Sequence, residues 1–121
     1  MHELSIALRI VESLNDELAE EEDLTVSAVT IQVGALTGLV PEALQFSWDM
    51  ATENSLLQGS KLNIEWVDAA GFCPECSVER TITNLQSFRC PVCRTPIQQV
   101  TGGNELEILT LEVHDNVPEP G

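Results

Sequence analysis

Leu4, Ala7, Val11, Leu14 and Leu18 recur at spacings of three and four, and Ile6 and Ile10 widen the stripe. That period predicts an amphipathic helix, with Arg9, Glu12, Asp16 and Glu17 on its wet side. The run Glu20-Glu21-Glu22-Asp23 should end it, because four like charges oppose one another and the negative end of the helix dipole. Val29, Ile31 and Val33 then alternate with Thr30 and Gln32, which predicts a half-buried strand from about Val26 to Val33. Gly34 and Gly38 bracket a loop. Pro41 fits the first position of a second helix, and Glu42 favours its positive end. This helix should run to about Ala51, with Leu44, Trp48 and Ala51 on one side and Ala43, Phe46 and Met50 beside them. Gly59-Ser60 reads as a turn, and Leu62, Ile64 and Trp66 as a second strand. Near the end, Leu106 and Ile108 alternate in one phase, and Leu109, Leu111 and Val113 in the other. A third strand there needs either a bulge or burial on both faces. The tail Asn116–Gly121 reads as frayed.

Between the second and third strands the pattern changes. A stretch flanked by Ala69-Ala70-Gly71 and Thr101-Gly102-Gly103 holds all four cysteines. The expected fold is therefore α+β: a small three-stranded sheet with two main helices, plus an inserted four-cysteine zinc-ribbon module. The expected organisation is a discontinuous αβ domain, residues 1–70 and 101–121, with the insert at 71–100.

The pairs Cys73-Pro74-Glu75-Cys76 and Cys90-Pro91-Val92-Cys93 are separated by 13 residues. A C-x2-C turn brings two thiolates to one ion from a single knuckle, and two knuckles complete a tetrahedron of soft ligands. The spacing points to zinc. Four protein ligands leave no open position, so the site should be structural. The insert has few large apolar residues, so metal binding must supply much of its folding free energy. A rubredoxin-like iron site and a dithiol switch use the same residues; visible absorption separates iron from zinc.

Charge narrows the partners. The chain has 121 residues, 20 of them acidic and 5 basic, for a formal net charge of −15. Hydrophobic residues make up 43%, so the acidity does not signal disorder. Such a surface argues against nucleic acid and against anionic membranes. The charge is uneven. Residues 71–100 hold Arg80, Arg89 and Arg94 against Glu75 and Glu79, while all the other acidic residues lie outside. Three arginines without an aromatic platform make a thin phosphate-binding surface. The insert, free of that strong acidity, is instead expected to offer a docking face for an acidic partner. No apolar run approaches the length of a bilayer span, and the opening residues lack a basic n-region. A cytoplasmic protein is expected, with its cysteines reduced.

Histidine is scarce. His114 reads as an ordinary surface or core residue. His2 differs by position: the α-amine of Met1, the amide nitrogen and the imidazole of His2 can close consecutive chelate rings on one ion, and the amide of Glu3 offers a fourth nitrogen. Planar all-nitrogen donors suit Ni²⁺ or Cu²⁺. With two histidines and four cysteines already committed, no nucleophile–base pair is left, so an enzyme is not expected.

The chain resembles the hydrogenase nickel-incorporation proteins, HypA/HybF, over nearly its whole length. The shared segments are Met1-His2-Glu3-Leu4-Ser5-Ile6-Ala7, Val33-Gly34-Ala35-Leu36-Thr37-Gly38 with Pro41-Glu42-Ala43-Leu44, Gly59-Ser60-Lys61-Leu62, both cysteine pairs, Gly103-Asn104-Glu105-Leu106 and Leu111-Glu112-Val113. The resemblance implies a nickel metallochaperone. It would take Ni(II) as transient cargo at Met1, His2 and Glu3 and pass it, with a HypB-type maturation GTPase, to the large subunit of [NiFe]-hydrogenase. It implies structural Zn(II) at Cys73, Cys76, Cys90 and Cys93, and a second copy of the chain as a candidate partner. One departure stands out. Ser77 and Arg94 follow the cysteine pairs, and residues 71–100 contain no histidine. Exchange of cysteine for histidine within the module is not available, which argues against a pH-responsive zinc site and a urease role. The competing reading is a zinc-ribbon adaptor that binds a protein and no second metal.

Overall fold

A computed structural model describes residues 2–20 and 24–115. Most of the acidic run after the first helix and the tail Asn116–Gly121 lie outside the described residues. The chain packs as two compact units. One takes the chain up to Ile31, Leu39–Ile64 and the chain from Ile108; the other takes Gln32–Gly38 and Glu65–Glu107.

In the first unit, helix α1 (His2–Glu17) buries Ala7, Val11 and Leu14, three of the apolar positions set by the helical period. It packs against α2 (Pro41–Ala51). Val40 caps α2 in an extended conformation, and Pro41 enters the first turn, where its missing N–H has no partner to lose. Helix α2 buries Leu44, Ser47, Trp48 and Ala51. Phe46 and Met50, expected beside that face, are exposed, Phe46 to 72%. A tight turn with Gly59 at φ +82° brings Ser60 under Trp48, where its Oγ accepts the buried indole N–H at 3.0 Å.

Strand β1 (Leu24–Gly34) is central in a sheet of order β2-β1-β6, with β2 Lys61–Val67 and β6 Leu106–Asp115 as neighbours. Val29, Ile31 and Val33 are buried as the alternation predicts, and Val26 and Ala28 are buried in the opposite phase. Strand β6 lies at the edge, and none of its described side chains is fully buried. Its two apolar phases are therefore not a strand buried on both faces: Ile108 and Leu111 are half-buried, and Leu106, Leu109 and Val113 are exposed.

The second unit carries a smaller antiparallel sheet of order β4-β3-β5, with β3 Ala70–Cys73, β4 Val78–Thr81 and β5 Gln99–Gly102. Ala69, Cys73, Ile82, Cys90 and Ile97 form its core, with Ala35, Leu36, Cys76 and Phe88 packed on it. Two distant glycine segments meet here. The N–H of Gly34 donates to the Glu105 carbonyl and that of Leu36 to the Gly103 carbonyl, both at 2.7 Å. Gly103 has φ +111°, a conformation that favours glycine, and its N–H donates to the Glu105 carboxylate at 2.7 Å. No described helix is long and apolar enough to cross a membrane.

Candidate metal centre

The two cysteine pairs fold into matching knuckles. Strand β3 ends at Cys73, and the N–H of Ser77 returns to the Cys73 carbonyl at 2.8 Å. In the second pair the N–H of Arg94 returns to the Cys90 carbonyl at 2.9 Å. Ser77 and Arg94 both sit in the left-handed region, with φ of 56° and 68°. The residue after each pair is thus the one that closes its turn. The bridge between Arg89 and Pro96 holds the strand entering the second knuckle against the strand leaving it.

The geometry brings all four sulfurs together, within 4.8 Å of one another. Cys73 and Cys93 are 3.4 Å apart at Sγ, and Cys76 and Cys90 are 4.0 Å apart. A tetrahedron with metal–sulfur bonds of about 2.3 Å has edges of about 3.8 Å, so these separations suit a tetrathiolate site. All four cysteines are free of disulfides. Cys73 and Cys90 are buried, Cys76 is half-buried and Cys93 is exposed.

The thiols are not equivalent. At Cys90 the backbone N–H of Cys93 stabilises the thiolate most and the N–H of Val92 helps, so the group is lowered to about 6 against its burial. Cys93 Sγ lies 3.1 Å from Thr95 Oγ1, and hydrogen bonding with the Thr95 side chain and backbone lowers its thiol as well. At Cys73 the Cys76 N–H pulls downward, but burial and the three neighbouring sulfurs prevail and raise it to about 11. The cluster thus offers a ready thiolate at Cys90 and a proton to displace at Cys73.

Arg80 completes the electrostatics, and the cysteine spacing alone does not point to it. It stands opposite Gly71 in the β3–β4 register, on the sheet face that also carries Cys73. It is the half-buried residue of an otherwise exposed β4. Its guanidinium is held in the charged form mainly by the Cys76 sulfur, with Cys90 adding to the effect, and its Nε is buried without a partner. The sequence signal was its place in the insert, but only the register aims it at the sulfurs.

The amino-terminal residues have a different setting. His2 is the exposed first residue of α1. Glu3 is half-buried, and its Oε2 accepts the N–H of Val40 at 3.3 Å. Met1 lies outside the described residues. His114 is exposed on β6.

A family model described as "Hydrogenase/urease nickel incorporation, metallochaperone, hypA" matches residues 1–113. The chain belongs to this HypA family. It is therefore a metallochaperone and not an enzyme, and its family's work is hydrogenase maturation. A "Hydrogenase maturation factor HypA" of Chloroflexus aurantiacus is 47% identical over 112 residues, covering 93% of this chain and 98% of that protein. The factor of the same name in a Roseiflexus species is 35% identical over 119 residues, covering 98% and 97%. Among solved structures, the "Solution structure of the Ni metallochaperone HypA from Helicobacter pylori" aligns at TM-score 0.56 and 22% identity, covering 91% of this chain and 95% of that one. A second HypA solution structure aligns at TM-score 0.61 and 21% identity. These two establish the shared HypA fold.

Proposed function

We propose that this HypA-family chain binds Ni(II) at its amino terminus and delivers it, with a HypB-type GTPase, to the large subunit of [NiFe]-hydrogenase in the cytoplasm. The nickel-binding domain is the discontinuous αβ body, 1–70 and 101–121. Residues 71–100 hold structural Zn(II) through Cys73, Cys76, Cys90 and Cys93. When bound there, the ion cross-links the two knuckles and leaves no position open for chemistry.

The observation that carries the nickel reading is where α1 begins. With His2 as its first residue, the amides of His2 and Glu3 precede the first backbone acceptors of the helix and have no intrahelical bond to break. They stand beside an exposed imidazole. The positive end of the helix dipole favours loss of an amide proton, which such ligation requires. With Met1 as the free amine, the donor set is the Met1 amine, the His2 amide and imidazole, and the Glu3 amide. Four nitrogens in a plane favour Ni(II). The ligands lose protons on binding, so nickel affinity rises with pH, and protonation of the donors offers a route to release.

Equilibrium nickel titration of the untagged, zinc-loaded protein tests this, beside His2→Ala and a chain extended before Met1. The extension converts the α-amine to a peptide nitrogen. Both changes should abolish tight nickel binding while zinc content and melting temperature hold. Unchanged nickel affinity in both would overturn the proposal and favour a zinc-ribbon adaptor.

A further inference from the structure

Arg89 and Arg94 are two of five basic residues in a chain with 20 acidic ones. With so much carboxylate available, pairing would be expected. Yet among the described residues neither guanidinium has a carboxylate partner. Both line a cleft of about 220 Å³ in the second unit, together with Thr83, Asn84 and Ser87. Apart from the Cys90 sulfur, the polar side chains of this cleft can all donate to an anion. Asn84 has spent its carbonyl oxygen on the backbone N–H groups of Gln86 and Ser87, at 3.1 and 3.3 Å. What it leaves over is its amide donor. Thr83 and Ser87 add hydroxyls, which donate to an anion. No acidic side chain lines the cleft.

The cleft is also held in shape. Arg89 Nη1 donates to the Arg94 carbonyl at 3.0 Å, so the first arginine is braced against the backbone of the second. Arg94 closes the Cys90–Cys93 knuckle, and Cys90 itself lies in the wall. Leu85 and Val92, neighbours in sequence of the lining residues, are exposed large apolar side chains, Val92 to 66%.

We infer that this cleft is a docking site for an acidic segment of a protein partner, with a carboxylate seated between Arg89 and Arg94. The cleft falls below the roughly 300 Å³ of ordinary small-molecule pockets, and no aromatic ring lines it to stack a base. Inorganic phosphate shares the anion chemistry. The apolar side chains in the same segments suit a peptide that alternates acid with leucine, not a lone ion. The inference stands apart from nickel at His2. It links docking to the metal knuckle, because the knuckle supplies one wall.

The probe is a fluorescein-labelled peptide of alternating glutamate and leucine, titrated by anisotropy into the full, zinc-loaded chain at low ionic strength. Arg94→Gln should weaken binding about tenfold or more, the loss expected for charge-assisted hydrogen bonds. It leaves in place the backbone carbonyl that Arg89 holds. Arg94→Lys should fall between, since it keeps the charge and loses the fork. Arg9→Gln, on α1, should bind as the unaltered chain does. Zinc content measured on each variant shows whether the knuckle is intact; if Arg94→Gln loses zinc, Ser87→Ala is the second variant and should weaken binding several-fold. Equal affinity in zinc-loaded Arg94→Gln and the unaltered chain, or no peptide binding at all, overturns the inference. So does displacement by phosphate at concentrations matching the peptide, which makes the cleft a small-anion site.

Discussion

The carboxylate of Glu3 accepts the backbone N–H of Val40, the residue that caps α2, at 3.3 Å. The third residue of the chain is thereby tied to the start of the second helix, at the end where the dipole favours negative charge. Its side chain has a structural task beside whatever its backbone amide does for a metal.

Glu3→Ala should therefore cost stability. A lost capping contact at an exposed site is worth about 0.5–1 kcal/mol, the lower part of the range for helix caps. The expected drop in melting temperature is a few degrees, and scanning calorimetry checks it. Glu3→Gln keeps an acceptor and should lose less. Nickel stoichiometry should be unchanged in Glu3→Gln if the backbone, not the carboxylate, ligates; loss of nickel from this variant with an unchanged melting temperature would place the carboxylate on the metal.

The helices and the three long strands were legible because their apolar positions follow one period over many residues. The cysteine cluster was legible because C-x2-C encodes a turn and a ligand pair together. Other features depend on contacts far apart in sequence. Phe46 is not one of these: two residues from both Leu44 and Trp48, it falls on the far side of the helical wheel from the buried face, and it is exposed. That neither apolar phase of β6 is fully buried is likewise something a single strand's pattern does not contain. Gly34 and Gly103 read as separate loop glycines, yet they meet in one compact unit that reaches beyond the span 71–100. Arg80 needed the strand register to reach the sulfurs.

Gly34→Ala should be strongly destabilising. A Cβ at Gly34 would stand 2.0 Å from the Gly103 carbonyl oxygen, a backbone atom held by its bond to Leu36. The backbones must separate, which costs about 3 kcal/mol or more given the usual range for overpacking. Gly38, with nothing within 4 Å of its added Cβ but φ +77°, should suffer only the strain of its conformation, about 1 kcal/mol for Gly38→Ala. Urea denaturation of the two variants side by side checks the order; equal losses would mean the close approach at Gly34 relaxes freely.

Ser60→Ala removes the acceptor of the buried Trp48 indole N–H. An orphaned buried donor costs about 1–3 kcal/mol. Trp48→Phe removes donor and need together, so Ser60→Ala in a Trp48→Phe background should cost much less. A double-mutant cycle by thermal melts reads the coupling directly, and additive losses would show that the bond contributes nothing.

Zinc uptake by the reduced, metal-free protein should release protons, and affinity should rise with pH. Cys73, at about 11, is protonated at pH 7.5 and must lose its proton to bind. Cys90, at about 6, is already a thiolate there. Uptake at pH 7.5 should therefore release no more than about three protons per ion. As pH falls through about 6, Cys90 joins the protonated thiols, proton release rises and affinity drops more steeply. Calorimetry in buffers of different ionisation enthalpy counts the protons; four released at pH 7.5 would contradict a depressed Cys90.

Arg80→Gln should make the metal easier to remove with acid. Four thiolates around a divalent ion leave two negative charges in excess, and the Arg80 guanidinium beside the Cys76 sulfur offsets part of them. Without it, each thiolate holds a proton more tightly, while the metal gains little from a neighbour it does not touch. Protons then win the competition at a higher pH. The midpoint of zinc release should move up by roughly 0.5–1 pH unit, the scale of one nearby charge, and Arg80→Lys should move it less. A chromogenic zinc indicator followed during acid titration gives the midpoint, and circular dichroism at neutral pH confirms that the loaded fold is intact. A midpoint that stays put or moves down in Arg80→Gln would mean that the guanidinium only fills space beside the cluster.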